Sequence, residues 1–234
     1  FAAKLARATG GFVAGSSDPI MTRQIQPLDV RDMDAAVARI TAAAPELVEW
    51  LNTGNTATRS THARATGIEC RVLADGASPM LIVHVLYDCG DAMGANLVNT
   101  ACEVLAPKIA ALSGGRVNLR ILSNLNDRRL AWASCTIAAS ALGDEVDDGG
   151  VSALQRIVEA ARFAELDPYR AATHNKGVMN GIDAVALATG QDWRAIEAAA
   201  HAFAARSGRY TALTSWRANA SGDLAGRIEL PLAV

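Results

Sequence analysis

An excess of charge of either sign is the first thing missing. The 22 lysines and arginines face 24 aspartates and glutamates, for a formal net charge of −2. That excludes a strongly basic nucleic-acid binder and leaves any phosphate recognition to local geometry. A continuous apolar run of about 18 residues or more is absent too, so no membrane span is expected. Cysteine is sparse. Cys70, Cys89, Cys102 and Cys135 form no C-x-x-C pair and keep no regular spacing. A zinc site or disulfide scaffold is disfavoured, and buried reduced thiols are the expectation. No G-x-G-x-x-G occurs, so the Rossmann fingerprint is missing. Ser16, Ser17 and Ser215 lack a G-x-S-x-G elbow, which disfavours a serine hydrolase. No metal-ligand spacing appears. No charged n-region precedes an apolar h-region, so a cytoplasmic protein is expected.

What is present is an ordinary globular composition. The chain has 234 residues, 50% apolar and 20% charged. That is enough for one large domain or two small ones, and for a core without staples. It opens at Phe1, and Ala2 to Ala8 read as the end of a helix already under way, which suggests a fragment cut at both ends.

Ala3 to Arg7 read as helix stopped by Gly10-Gly11, and Gly10 to Ser17 as a flexible hinge. Ile20 to Val30 alternate as a strand. Asp32 or Asp34 caps a helix carrying Val37, Ile40, Leu47, Val48 and Leu51, with Pro45 predicting a break. Asn52 to Thr66 form a polar connection. Ile68 to Ala74 and Met80 to Tyr87 flank the turn Asp75-Gly76-Ala77-Ser78. A helix from Ala92 to about Leu112 stops at Ser113-Gly114-Gly115, and Val117 to Leu122 are a strand. The resulting β-α-β-β-α-β order is ferredoxin-like: one antiparallel-rich sheet with two helices on one face.

The remainder is more helical. Leu130 to Ile137 read as a strand. Val151 to Leu166 are an amphipathic helix with Leu154, Ile157, Val158, Ala161 and Phe163 at apolar spacing, ended by Asp167-Pro168. Gly177 to Thr189 and Asp192 to Ser207 are two further helices. Tyr210 to Arg217 and Leu224 to Leu230 form a hairpin around Asn219 to Asp223. The expected fold is α+β, a ferredoxin-like module inserted in a larger, more helical α+β domain. The large substrate domain takes 1–17 and 124–234, and the small dinucleotide-binding domain takes 18–123.

Two segments concentrate chemistry. Asp91-Ala92-Met93-Gly94-Ala95-Asn96 lies at a strand-to-helix junction. Free N–H groups and a partial positive charge there suit a phosphate, and Gly94 removes a blocking side chain. The plain alternative is an Asp91 N-cap, worth about 1 kcal/mol. In Thr173-His174-Asn175-Lys176-Gly177-Val178-Met179-Asn180-Gly181, polar groups crowd the start of an otherwise apolar helix. A half-buried Lys176 needs a counter-charge, and Asp192 can swing back to supply it. The alternative is a solvated Lys176 and an Asp192 that only caps its helix. His62, His84 and His201 show no ligand partner in the sequence, and His174 sits beside Lys176 as a shaping residue.

Asp91 to Asn96, Ile121-Leu122-Ser123-Asn124-Leu125 and Asp167 to Gly190 together resemble hydroxymethylglutaryl-coenzyme A reductase of class II, the bacterial, degradative type. The likeness runs nearly end to end, from Ala3-Lys4-Leu5-Ala6-Arg7 to Gly226-Arg227-Ile228-Glu229-Leu230-Pro231. The D-A-M-G-x-N and N-K-G-x-M-N-G motifs are highly specific in this order and spacing.

The resemblance implies interconversion of mevalonate plus coenzyme A with hydroxymethylglutaryl-coenzyme A, two hydride transfers to or from a nicotinamide cofactor, and a place in isoprenoid metabolism. It implies a homodimer with the active site at its interface. Lys176 matches the catalytic lysine and Asp192 the aspartate that tunes it. Arg170, Thr173 and Asn180 match acyl-substrate positions. Asp91, Met93, Gly94 and Asn96 match the dinucleotide motif, and Asn124 a further cofactor contact. The family's glutamate, in an E-N-V-type segment, would fall before Phe1, and its mobile histidine after Val234, so the resemblance implies an active parent protein and a chain that by itself is inactive or nearly so. The segment 52–69 carries Arg59, Arg64 and Glu69. Without strong basic clustering the cofactor expectation is NAD, with NADP as the alternative. A second reading is a non-catalytic nucleotide-binding or dimerisation fragment.

Overall fold

The computed structural model describes residues 2–74, 76, 78–90, 95–143 and 151–233, the side chains of residues 2 and 95–97 excepted. The chain divides into two compact units. Asp18–Arg129 form one, and Phe1–Ser17 with Leu130–Leu232 form the other, which the first interrupts in sequence.

The interrupted unit opens with α1 (Ala2–Arg7) and β1 (Phe12–Ser16). Gly10 and Gly11 carry φ of 100° and 81°, and the Gly11 N–H closes the helix end on the Ala6 carbonyl at 2.9 Å. Positive φ costs glycine nothing and other residues a steric clash. The segment read as a flexible hinge is therefore a glycine stop followed by a strand, and β1 pairs residue by residue with Ala131–Cys135.

The inserted unit runs β2 (Ile20–Leu28), α2 (Met33–Glu49), β3 (Arg64–Leu73), β4 (Met80–Asp88), α3 (Ala95–Ser113) and β5 (Arg116–Leu122). Its four strands lie in the order β3-β4-β2-β5, all neighbours antiparallel, which is the ferredoxin-like arrangement. The Asp75–Ser78 turn falls partly outside the described residues. Alternation places Met21, Ile25, Val83 and Val85 on one face. That face packs on Ala36, Ile40 and Leu47 of α2 and on Val98, Ala101, Leu105 and Ile109 of α3. Asp32 caps α2, its carboxylate accepting from the Ala35 N–H at 2.9 Å. Pro45 does not break α2; the helix continues through it and ends in a π turn, Trp50–Gly54.

The interrupted unit resumes with β6 (Leu130–Ile137), α4 (Ala153–Leu166), α5 (Pro168–Ala188), α6 (Trp193–Ala204), β7 (Thr214–Ala218) and β8 (Leu224–Pro231). Its sheet has the antiparallel order β1-β6-β8-β7. Cys135, Ile137, Leu224 and Trp216 pack on Leu154, Ile157 and Val158 of α4 and on Leu5 and Ala6 of α1. Phe163, expected inside, is 56% exposed, and Ala161 and Ala164 take the buried positions. Three of the four cysteines are buried and Cys70 is partly so. Burial pushes the thiol pKa of all four up, that of Cys102 to about 12.

Two tryptophans lie flat over glycines in register with them. Trp132 covers Gly15, and Trp216 covers Gly226. A Cβ at Gly226 would stand 2.3 Å from the Trp216 ring. A strand glycine that admits a neighbouring ring this closely is a packing requirement. Gly226→Ala is therefore expected to destabilise the protein by about 1–3 kcal/mol, read as a lower urea midpoint, and Trp216→Leu in the same chain should restore part of the loss. A second expectation concerns pH. His84, half-buried, accepts at Nε2 from the Gln24 amide at 3.0 Å. Burial first, then Arg71 and Arg128, lower its pKa against the opposing pull of Glu69 and Asp127. The unfolded chain then binds the proton more readily than the native one. Stability is present above the ordinary histidine pKa of about 6.5 and is lost as pH falls toward the lowered native value. Urea midpoints should fall between about pH 7 and pH 5, with a shallower fall in His84→Gln.

Candidate functional site

Asp167 joins α4 to α5. Its N–H closes the last turn of α4 on the Phe163 carbonyl, and its carboxylate accepts from the Arg170 N–H at 2.9 Å to cap α5. Pro168 occupies the first position of α5, where its fixed φ suits a helix and its missing N–H would have been unpaired anyway. The helix thus begins nine residues before the Gly177 start read from sequence, and Lys176 lies inside it rather than at its beginning.

The period of α5 separates its residues onto two faces. Ala171, Asn175, Met179 and Ala186 are buried. Arg170, Thr173, Lys176 and Asn180 recur at three- and four-residue spacing on another face. Thr173, Lys176 and Asn180 are exposed and Arg170 half-exposed. The three side chains expected at acyl-substrate positions and the lysine expected to be catalytic therefore share one accessible helix face. Among the described residues Lys176 makes no ion pair.

Asp192 is elsewhere. Its carboxylate accepts from the Ala195 N–H at 3.1 Å and so caps α6, with Arg194 Nε 4.0 Å away. Lys176 stands twelve residues before the end of α5 at Ala188. At about 1.5 Å per residue that is roughly 18 Å along the axis. Among the described residues no ion pair joins Lys176 to Asp192, whose carboxylate is taken by the N-terminus of α6.

His174, which the sequence offered as a shaping neighbour, and Asn175, part of its polar motif but given no role, bind the segment entering β7. His174 Nε2 lies 2.6 Å from Thr214 Oγ1. Asn175, fully buried, donates to the Thr211 carbonyl and accepts from the Leu213 N–H, both at 2.9 Å. The signal in the sequence was one amide inside an otherwise apolar stripe. These bonds also explain why β7 begins at Thr214 and not at Tyr210: the backbone groups of 211 and 213 face α5. Burial, then Arg170, lower the His174 pKa against Glu165.

On the cofactor side Asp91, Met93 and Gly94 lie outside the described residues, as does the side chain of Asn96. The described part of α3 begins at Ala95. Gly90, at φ 53°, approaches the His62 carbonyl: a Cβ there would stand 3.3 Å from it. Beside it opens a cleft of about 260 Å³ lined by Ser60, Thr61, His62, Ala63, Arg64 and Asp88. Arg64 Nε is 3.6 Å from Asp88. Glu69, by contrast, is held by Arg128 in a bidentate pair at 2.9 and 2.6 Å. Asn124 is exposed, in a turn that Asn126 holds by its side chain: the amide donates to the Ser123 carbonyl at 3.1 Å, and Oδ1 accepts from the Thr22 N–H at 3.0 Å. Asn124 belongs to the inserted unit, whose end lies at Arg129 and not at 123. Arg23 is buried against α3, donating to Asn99 Oδ1 and to the Thr22 carbonyl at 3.3 Å each. The sequence had not singled it out. Among the described residues no cluster of histidine, cysteine and carboxylates fits a metal, and no helix is long and apolar enough to cross a membrane.

Comparison with known proteins places these features in one family. The family model described as hydroxymethylglutaryl-coenzyme A reductase matches residues 1–234. The 3-hydroxy-3-methylglutaryl-coenzyme A reductase of Archaeoglobus fulgidus is 43% identical over 233 residues, all of this chain and 52% of that protein. A probable reductase of the same name from Borreliella burgdorferi is 38% identical over 154 residues, covering 65% of this chain and 35% of that protein. Among solved structures, the reductase of Streptococcus pneumoniae superposes with a TM-score of 0.90 at 39% identity, over 99% of this chain and 62% of that one. Another structure of the Streptococcus pneumoniae enzyme, described as class II and bound to NADPH in open conformations, matches with the same score over 56% of its length. The chain spans about half the length of the Archaeoglobus relative. It belongs to the hydroxymethylglutaryl-coenzyme A reductase family.

Proposed function

We propose that the protein is a hydroxymethylglutaryl-coenzyme A reductase, interconverting mevalonate and coenzyme A with hydroxymethylglutaryl-coenzyme A. The observation that carries this reading is the accessible α5 face that presents Arg170, Thr173, Lys176 and Asn180 together. The planar guanidinium of Arg170 takes the substrate carboxylate through paired hydrogen bonds. Thr173 and Asn180 orient the acyl chain. The Lys176 ammonium holds the carbonyl oxygen and stabilises the negative charge that grows on it during reduction, a contact stronger in the transition state than in the bound substrate.

A nicotinamide dinucleotide supplies the hydride in this proposal. Asp91, Met93 and Gly94, which precede α3 in the sequence, and Asn96, with Asn124, would hold it. The sequence leaned to NAD. With Glu69 engaged by Arg128, and with a Streptococcus pneumoniae relative solved in complex with NADPH, NADP is the better supported form.

The separation of Lys176 from Asp192 bears on assembly. If Asp192 tunes Lys176, it does so from a second copy, which fits a homodimer with the active site at its interface. The domain roles follow the same reading, with the dinucleotide on the inserted unit and the acyl substrate on the interrupted one. A cytoplasmic location is proposed with them.

The test is an assay with mevalonate, coenzyme A and NAD or NADP in parallel, following the absorbance of reduced nicotinamide. Turnover is expected of the full-length protein. Lys176→Ala should lower it by roughly 10²–10³-fold or more while dinucleotide binding is retained. Turnover unchanged in Lys176→Ala refutes the role of that lysine. Dinucleotide binding without any turnover in the wild type would favour the non-catalytic nucleotide-binding or dimerisation reading.

A further inference from the structure

We infer that Asn175 is a positioning residue: its buried carboxamide fixes the axial and rotational setting of α5, and so the placement of the face that carries Lys176. The functional meaning of that face rests on the reading above; the clamp itself does not.

Asn175 sits at the centre of the buried stripe of α5 and is 0% exposed. Both ends of its amide are bonded to backbone, to the Thr211 carbonyl and the Leu213 N–H. The preceding residue, His174, meets Thr214. Two consecutive helix residues thus grip three of the four residues 211–214 at the entry to β7.

The rest of the stripe is poorly suited to set a register. Ala171 and Ala186 present small, smooth surfaces, and Met179 is flexible. Apolar contacts of this kind are non-directional and tolerate sliding. Gly177 and Gly181 have open space where a Cβ would stand, so nothing at those positions grips the helix. A directional amide in such a stripe acts as a single buried asparagine does in a coiled coil, where it fixes register. A slip by one turn, or a rotation by one residue, would leave a buried carbonyl and N–H unpaired.

Lys176 follows Asn175 directly, so its placement inherits that register. The sensitivity is high, because a misplacement of about 1 Å can lower catalytic efficiency about 10²-fold.

The three lysines of the chain, Lys4, Lys108 and Lys176, allow a direct readout by reductive ¹³C-methylation and NMR. Lys108 lies 4.5 Å over the Trp50 ring and is set apart by the ring current. Asn175→Asp keeps the size but removes the donor facing the Thr211 carbonyl. It is expected to shift and broaden the Lys176 signal and to leave Lys108 in place. Thr214→Val, which removes the His174 contact, should move the same signal less, and it carries the test if Asn175→Asp does not fold. Ile137→Val, a core change in the same unit, should lower stability without moving the Lys176 signal. An unmoved signal in the clamp variants, or equal movement in Ile137→Val, overturns the inference. In the enzyme assay, kcat/KM for mevalonate should fall at least about 10-fold in the clamp variant, with dinucleotide affinity unchanged; a value equal to wild type also overturns it. Absence of turnover in the full-length wild type would count against the proposed reductase activity, while the Lys176 signal still decides the clamp.

Discussion

The carboxamide of Asn175, bonded to the backbone at Thr211 and Leu213, is the contact on which the arrangement of the interrupted unit turns. It spends the inner face of α5 on the chain entering β7 and leaves the outer face free. A helix can do both because its period places residues 171, 175 and 179 on one side and 173, 176 and 180 on another. Structure and chemistry are thereby carried by alternating positions of one short motif. The same contact ends β7 early at its N-terminal side, since the backbone groups of 211 and 213 face the helix.

A comparable economy appears in the sheets. Gly15 and Gly226 lie under Trp132 and Trp216 in register, so each large ring is accommodated by a missing side chain on the neighbouring strand. In the inserted unit, both helices cover one face of a four-stranded antiparallel sheet. Most of its large aliphatic side chains point into that single core.

The fold was largely legible because its signals are local. The strands alternate, Asp32 and Ser152 cap the helices that follow them, and glycines stop α1 and α3. Residues with two uses are harder to read. Pro168 follows the stop of α4 and also opens α5 as its first residue. Pro45 reads as a break, although α2 continues through it. Gly10 to Ser17 read as a hinge, because the pairing partner of β1, β6, lies more than a hundred residues away.

Sequence by itself determined the family, the βαββαβ order and the residue types at the candidate site, because motifs and periodicity are properties of neighbours along the chain. It did not determine which of those residues meet. Only the tertiary structure decided that Arg170, Thr173, Lys176 and Asn180 share an accessible face. Only it showed that Asp192 is committed to capping α6, and that Glu69 is engaged by Arg128. The reason is the rise of the helix. Sixteen residues of sequence separation can close to a contact when the chain folds back on itself, but here twelve of them lie in α5 and the Asp192 carboxylate is spent on the N-terminus of α6.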